Sequence, residues 1–195
     1  MSKRKTPIDK VLPKNFANEK YRTACNNPFL WLVKAREVRR AANLVWDQFQ
    51  SELVGYACGG EDSNEPFTGS VAMMLYGFTV ENLLKAALVA KGVAVLPNGN
   101  FSKKSHALED LADELSVSLD ANERELLERL ENFLEWGGRY PIPLYADTLY
   151  PRAMLDGSKA WMIGVSTKDR VRIESLIAKL QAILPTEGEA LQSLP

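Results

Sequence analysis

Apolar residues recur at helical spacing along most of this chain, and the pattern predicts five helices and no convincing strand. The first helix begins at Asn27-Pro28, where asparagine is a good N-cap and proline suits the first helical position, and it ends near Gly55. Further helices are predicted over 71–90, over 105–115, from the Asp120–Glu123 capping box to Gly137-Gly138, and from Ser166-Thr167 to Pro185.

The segment Val71–Ala90 is apolar almost all the way round a helix, as is typical of a helix at the centre of a helical protein. Its polar residues include Glu81, Asn82 and Lys85. Because Glu81 and Lys85 are four residues apart, they share one face and can pair, as buried charges require. The segment is long enough to cross a bilayer, but charge at its middle is costly in lipid, so we predict no membrane span.

The pattern divides the chain into a polar lead-in at 1–26, a single helical domain at 27–184 and a tail at 185–195. Within the domain, no period is sustained over 139–165, a segment rich in tyrosine and proline. A loop of this length is usually functional or packs through its own side chains. We therefore predict an all-α protein, an antiparallel bundle of about five helices. The aromatic residues predicted to lie in its core are Trp31, Trp46, Tyr76 and Phe78.

The composition is that of an ordinary soluble globule, with 46% hydrophobic and 25% charged residues. The formal net charge of -1 provides no global field for nucleic acid or an anionic membrane. Short basic runs at 2–5 and 103–104 are interpreted as solvated surface. Cys25 and Cys58 have no metal-ligand spacing to each other or to the one histidine, His106, which predicts free thiols, no metal and no cofactor. The charged N-terminus predicts no signal peptide and a cytoplasmic protein.

Three sequence stretches occur in an order that resembles the HEPN domains (higher eukaryotes and prokaryotes nucleotide-binding). They are Glu-Asn-Leu-Leu-Lys-Ala at 81–86, Ser-His-Ala-Leu-Glu-Asp-Leu at 105–111 and Trp-Gly-Gly-Arg-Tyr-Pro at 136–141. The resemblance covers roughly residues 28–143. It implies a small helical bundle, and relatives that are either metal-independent ribonucleases of defence systems or inactive proteins that bind RNA, nucleotides or protein partners.

This chain departs from the HEPN nuclease motif, which is an arginine, four to six residues and a histidine. The positions where the arginine should precede His106 hold glycine, asparagine and phenylalanine (99–101), and those where a histidine should follow Arg139 hold Leu144, Tyr145 and Ala146. The resemblance therefore implies a prokaryotic binding or interaction module, in a defence or toxin–antitoxin context, without standard ribonuclease activity. The alternative is a metal-independent RNA-cleaving or nucleotide-modifying enzyme whose site is remodelled around Arg139, with Tyr145 and His106.

Candidate contacts to a ligand or RNA lie at two places in the sequence. Arg139 offers a planar fork of donors for phosphate or carboxylate, and Trp136 and Tyr140 can stack on unpaired bases. The competing interpretation of Arg139 is a helix-end arginine that binds the last carbonyls. His106 is either an acid/base or phosphate contact or a plain surface histidine.

Glu81, Asn82 and Lys85 form a third candidate, a polar cleft between helices. The competing interpretation is a structural ion pair with a hydrogen-bonded amide. Candidate partners of the whole chain are a second copy, since exposed apolar helix faces are often buried by dimerisation, and RNA, a nucleotide or a protein. A protein partner would bind the 139–165 segment if that segment exposes an aromatic patch.

Overall fold

The structure is a computed structural model, and its regular elements within the described residues are helices apart from one pair of two-residue strands. This confirms the predicted all-α class. The structure describes residues 14–58, 68–93, 102, 106–143, 146, 150–153, 157, 159–160 and 164–184. The helices are α1 (Lys14–Cys25), α2 (Pro28–Ala57), α3 (Gly69–Ala90), α4 (Leu108–Glu114), α5 (Ala121–Asn132), which continues into a π-helical turn (Phe133–Gly137), and α6 (Asp169–Ala182).

Helix α3 lies at the centre of the fold and contacts α2, α4, α5, the π-helical turn and α6. It is the segment whose apolar residues run round every face, and its burial follows directly from that pattern. Gly77 shows how closely the helices approach, because a Cβ at this position would lie 2.8 Å from Cγ of Leu134 and 3.2 Å from the carbonyl oxygen of Leu130. Small residues on α3 therefore allow α5 and the π-helical turn to pack against its backbone.

Among the described helices, α3 is also the one long and apolar enough to cross a membrane by length and composition. In this fold 72% of its most apolar 18-residue window is buried inside the protein. The absence of a membrane span therefore stays a prediction.

The helix boundaries follow capping signals in the sequence. The Asn27 side chain accepts a hydrogen bond from the Phe29 amide at 2.9 Å, and Asp120 and Glu123 form the reciprocal capping box at the start of α5. Helix α3 ends with a glycine at positive φ, Gly92, whose flanking amides bind the last carbonyls of the helix. These three boundaries confirm the sequence prediction.

The structure corrects the sequence prediction at three points. Residues 14–25, which the pattern assigned to a polar lead-in, form α1; its helical apolar signal is weak because its sequence is mostly polar, and within 18–25 the buried residue is Cys25 at the very end. Helix α2 passes Gly55 and ends at Ala57, because a glycine costs a helix only about 0.5–1 kcal/mol relative to alanine and does not by itself end it. The strands β1 (Arg152–Ala153) and β2 (Lys159–Ala160) pair antiparallel, and strands this short leave no periodic signal.

Several predictions fall on residues outside those the structure describes. They concern Tyr145, Leu144, Ser105, the basic runs at 2–5 and 103–104, Pro185 and the tail at 185–195.

A buried ion pair that the sequence analysis did not predict joins α5 to α6. Arg129 donates from Nη1 to Oδ1 of Asp169 at 2.7 Å and from Nη2 to Oδ2 at 2.8 Å, and both side chains are almost completely buried. Nη2 also donates to the carbonyl oxygen of Gly164, and Asp169 accepts from the amide of Ser166. The pair therefore holds the chain that enters α6 against α5.

Removing one member of this pair should destabilise the protein strongly. Arg129→Met leaves the Asp169 carboxylate buried without a guanidinium, which should lower the free energy of unfolding by about 3–5 kcal/mol. Arg129→Met combined with Asp169→Asn removes the charge while keeping an acceptor for Ser166, so the double variant should be more stable than Arg129→Met alone. Urea denaturation of the parent, Arg129→Met, Asp169→Asn and the double variant measures the difference, and additive losses would contradict the pairing.

Alanine at Gly77 should destabilise the core, while alanine at Gly55 should not. The added methyl at Gly77 meets Leu134 and the Leu130 carbonyl, an overpacking expected to cost about 1–3 kcal/mol. Gly55 is the matched control in an open position of α2, where alanine should stabilise by about 0.5–1 kcal/mol. Thermal unfolding of both variants measures the effect; equal shifts of the same sign would show that α3 is not closely packed at Gly77.

Candidate functional site

Two oppositely charged side chains are buried together in the middle of α3. The Nζ atom of Lys85 lies 2.5 Å from Oε1 of Glu81, and their side chains are only 7% and 6% exposed. The i,i+4 spacing places both on one helix face, as the sequence predicted. Since a buried charge is costly without a partner, each of these residues depends on the other to remain ionised inside the fold.

His106 completes this cluster from a different element. It lies two residues before α4, and its Nδ1 atom is 3.0 Å from the second carboxylate oxygen of Glu81. An ionised carboxylate accepts hydrogen bonds but donates none, so we assign the shared hydrogen to Nδ1. The imidazole is 43% exposed, and Nε2 makes no hydrogen bond with the described residues. His106 therefore has one ring nitrogen held by the protein, on a side chain that solvent reaches.

Aromatic rings border the cluster on two sides. The ring of Phe78 meets His106 edge to face, with centroids 6.2 Å apart and an interplanar angle of 78°. The Lys85 ammonium lies 6.0 Å from the ring centroid of Trp31 on α2, within cation–π range. Trp31 and Phe78 are half-buried here, whereas Trp46 and Tyr76, the other predicted core aromatics, are fully buried.

Asn82, the third residue of the predicted polar cleft, serves the helix backbone instead. Its Nδ2 donates to the carbonyl oxygen of Phe78 at 2.6 Å, one turn earlier on α3. The structure thus brings Glu81, Lys85 and His106 together and gives Asn82 a separate, local partner.

The other predicted contact region is the turn that follows α5. Trp136 lies in the π-helical turn and is buried, with an indole nitrogen that has no hydrogen-bond partner among the described residues. The Arg139 guanidinium donates to the carbonyl oxygens of Leu134 and Glu135, as expected for a helix-end arginine. Arg139 is nonetheless exposed, and its Cζ lies 5.9 Å from the ring centroid of Tyr140.

Exposed apolar side chains continue beyond this turn. Tyr140, Ile142 and Tyr150 are 58%, 70% and 69% exposed. Trp136 by contrast is turned into the fold, so Tyr140 is the aromatic side chain of the predicted stacking group that solvent can reach. Tyr145 lies outside the described residues.

One face of α3 passes both regions. Met74, Phe78, Glu81 and Lys85 follow one another at helical spacing, and so lie on one side of the helix. Gly138 packs directly against Met74, while His106 packs against Phe78 and Glu81. Along the axis, Met74 lies about 6 Å from Phe78 and about 10 Å from Glu81. The structure therefore arranges the Arg139 turn and His106 one to two helical turns apart along the same face, without a hydrogen bond between them in the described residues.

Neither the composition nor any spacing in the sequence indicated that His106 binds Glu81. The two residues are 25 positions apart in the sequence, and their contact depends on how the segment before α4 packs on α3. The signal available in the sequence was the buried Glu81 itself, since a carboxylate in an apolar helix needs more than one hydrogen-bond donor. Among the described residues, no group of three or more histidine, cysteine, aspartate and glutamate side chains could hold a metal ion.

No protein-family model, curated protein or solved structure matches this chain. The HEPN resemblance therefore stays a prediction.

Glu131 on α5 helps to fix the helix that follows His106. Its Oε1 accepts the amide hydrogen of Glu109 at 2.9 Å, in the first turn of α4. Burial raises the pKa of the Glu131 carboxyl, an effect that the backbone hydrogen bonds partly offset and that the nearby Glu109 and Glu135 charges reinforce. The ionised carboxylate is thus held at a cost in the folded state.

Glu131→Gln should stabilise the protein at neutral pH and leave it unchanged in acid. Because the pKa of Glu131 is raised on folding, the native carboxyl favours folding below its ordinary pKa, and this contribution is lost as the pH rises through the raised pKa. Glutamine is never charged and keeps an oxygen for the Glu109 amide. The Tm of the variant should therefore exceed that of the parent increasingly as the pH rises above the ordinary carboxyl pKa of about 4, and the difference should level off above the raised pKa.

The control for this prediction is Glu37→Gln, an exposed carboxylate paired with Lys34, for which little change in Tm is expected. A difference in Tm between Glu131→Gln and the parent that is the same at every pH would contradict the raised pKa of Glu131.

Proposed function

We propose that this chain is a HEPN-like binding module that contacts the phosphates of RNA or of a nucleotide along one face of α3. The observation that carries the proposal is that exposed His106 and the turn bearing exposed Arg139 both pack on that face. His106 lies beside Phe78 and Glu81, and Gly138, the residue before Arg139, packs against Met74. Both side chains can donate hydrogen bonds to phosphate oxygens, His106 when it is protonated.

An aromatic ring that can stack on a base lies next to Arg139. Tyr140 is exposed and within reach of the Arg139 guanidinium, and single-stranded RNA is commonly bound by aromatic rings beside arginine. The overall charge of -1 means that affinity would come from this local arrangement and not from a general attraction for nucleic acid.

A second candidate function is RNA cleavage, and the hydrogen bond between Glu81 and His106 favours it. A histidine whose Nδ1 is held by a carboxylate presents Nε2 in a fixed direction, which is how enzymes position an imidazole for proton transfer. Arg139 has no hydrogen bond to His106 in the described residues, so this enzyme would depend on His106 first and on Arg139 as a contact to the phosphate chain.

If the binding proposal is right, a fluorescent single-stranded oligoribonucleotide should bind the purified protein, and two substitutions should weaken it. His106→Ala and Arg139→Ala each remove a charge-assisted hydrogen bond, so each should raise the Kd roughly tenfold, and the double variant roughly a hundredfold. Fluorescence anisotropy at fixed salt measures the Kd, and circular dichroism checks that each variant is folded.

Arg40→Ala is the matched control, because it removes the same charge from an exposed position of α2. No binding by the folded parent protein would overturn the proposal, and an equal loss in Arg40→Ala would reduce it to non-specific attraction. RNA recovered from the same reactions is then run on a denaturing gel. Cleavage that persists in EDTA and disappears in His106→Ala would establish the second candidate in place of simple binding.

A further inference from the structure

The two ring nitrogens of His106 are in different environments. Nδ1 faces the buried carboxylate of Glu81, whereas Nε2 has no hydrogen-bond partner among the described residues, on a side chain that is 43% exposed. Glu81 cannot turn away freely, because its other oxygen is held by the buried ammonium of Lys85 at 2.5 Å. The Glu81–Lys85 pair is therefore a rigid support that determines which edge of the imidazole reaches a ligand.

We propose that Nε2 of His106 binds a phosphate oxygen of the ligand and that Glu81 is the positioning residue that directs it there. This inference rests on the proposed function and adds the atom that contacts the phosphate, the residue that positions that atom and the proton that the contact requires. Lys85 acts one step further away, by holding the other carboxylate oxygen of Glu81 in place.

The hydrogen-bond chemistry of the ring determines the proton balance. While Nδ1 donates to Glu81, a neutral imidazole offers only a lone pair at Nε2, and a lone pair does not bind a deprotonated phosphate oxygen. A protonated imidazole donates from both nitrogens, so the contact requires the imidazolium form. Phosphate binding is therefore accompanied by the uptake of one proton wherever free His106 is neutral, and affinity falls as the pH rises.

The charges on the elements around His106 are consistent with a site that needs this proton. Carboxylates outnumber cationic side chains on the described parts of α3, α4 and α5, so protonation of His106 adds a positive charge where a phosphate would bind. The charged groups are Glu81 and Lys85 on α3, Glu109 and Asp110 in the first turn of α4, and Glu131 with the arginines of α5, of which Arg124 is bound to Glu109.

The single histidine of this chain makes the test direct. Protein labelled with ¹⁵N in histidine alone gives the signals of one imidazole, and the shifts of Nδ1 and Nε2 report which nitrogen carries a hydrogen at each pH. We expect hydrogen on Nδ1 in the neutral ring. The probes are inorganic phosphate, AMP, adenosine and an oligouridylate without terminal phosphates, each added between about pH 5 and pH 8.

The ¹⁵N resonance of Nε2 should shift when inorganic phosphate, AMP or the oligouridylate is added. Adenosine, which lacks phosphate, should not shift it. For the oligouridylate, whose internal phosphates keep a constant charge over this range, the Kd should rise about tenfold per pH unit once His106 is neutral. A response to adenosine alone would overturn the inference in favour of a base contact. Oligouridylate binding with no change at Nε2, or with no dependence on pH, would overturn the inference and leave the proposed function standing, whereas no binding at all would remove both.

Glu81 is tested with a variant that keeps the core neutral and filled. Glu81→Gln together with Lys85→Met removes both charges, since Glu81→Gln alone leaves the ammonium without its counter-charge. If Glu81 positions the ring, the tautomer with hydrogen on Nδ1 should no longer dominate in the neutral imidazole of this variant. The Kd for the oligouridylate should also rise roughly tenfold. Circular dichroism checks that the variant is folded. An unchanged tautomer and unchanged Kd would show that Glu81 has no positioning role.

If the double variant does not fold, Phe78→Leu is examined next, because Phe78 packs edge to face on the ring without touching its hydrogen bonds. It should leave the hydrogen on Nδ1 and preserve phosphate binding. A change of tautomer in this variant would mean that ring packing, and not Glu81, orients His106.

Discussion

The burial of most of α3 is the constraint on which the rest of the fold depends. Helices α2, α4, α5 and α6 and the π-helical turn each contact it, so each covers part of an apolar surface that no single neighbour could cover. The close approach at Gly77 shows that this covering is tight, with Leu134 and the Leu130 carbonyl directly over the α3 backbone. Any element that shifts on α3 also shifts relative to the others.

Charge inside such a helix has to be satisfied locally or by a neighbour. Glu81 does both, since it binds Lys85 one turn away and His106 from the segment before α4. Replacing the pair by apolar residues would often leave a helical protein as stable or more so. Its presence, with an exposed histidine at one end, is the reason for locating the candidate site here.

A second buried pair performs a different task. Arg129 and Asp169 join α5 to α6 and hold the chain at Gly164 and Ser166. Both pairs are buried and closely hydrogen-bonded, but Glu81 also binds the exposed His106, whereas the cationic side chain nearest to Asp169 outside its pair, among the described residues, is Arg172, at 4.0 Å. The acid/base chemistry of histidine, rather than the strength of the ion pairs, separates the candidate site from a purely structural feature.

The local signals in the sequence were sufficient to predict the all-α class, the central helix, the caps at Asn27 and Asp120 and the pairing of Glu81 with Lys85. Each of these depends on residues within a few positions of one another, where helical periodicity and capping act directly. The same signals missed α1 and the two short strands, where the apolar pattern is weak.

Tertiary packing alone decided that His106 meets Glu81, that Arg129 meets Asp169, that Trp136 is buried and that Gly138 rests on Met74. These contacts join residues from separate elements, and nothing in their spacing along the chain indicates which face of one element turns toward another. Helical periodicity identifies the apolar face of each helix, whereas the partner of a polar group on that face is determined only when the helices pack together.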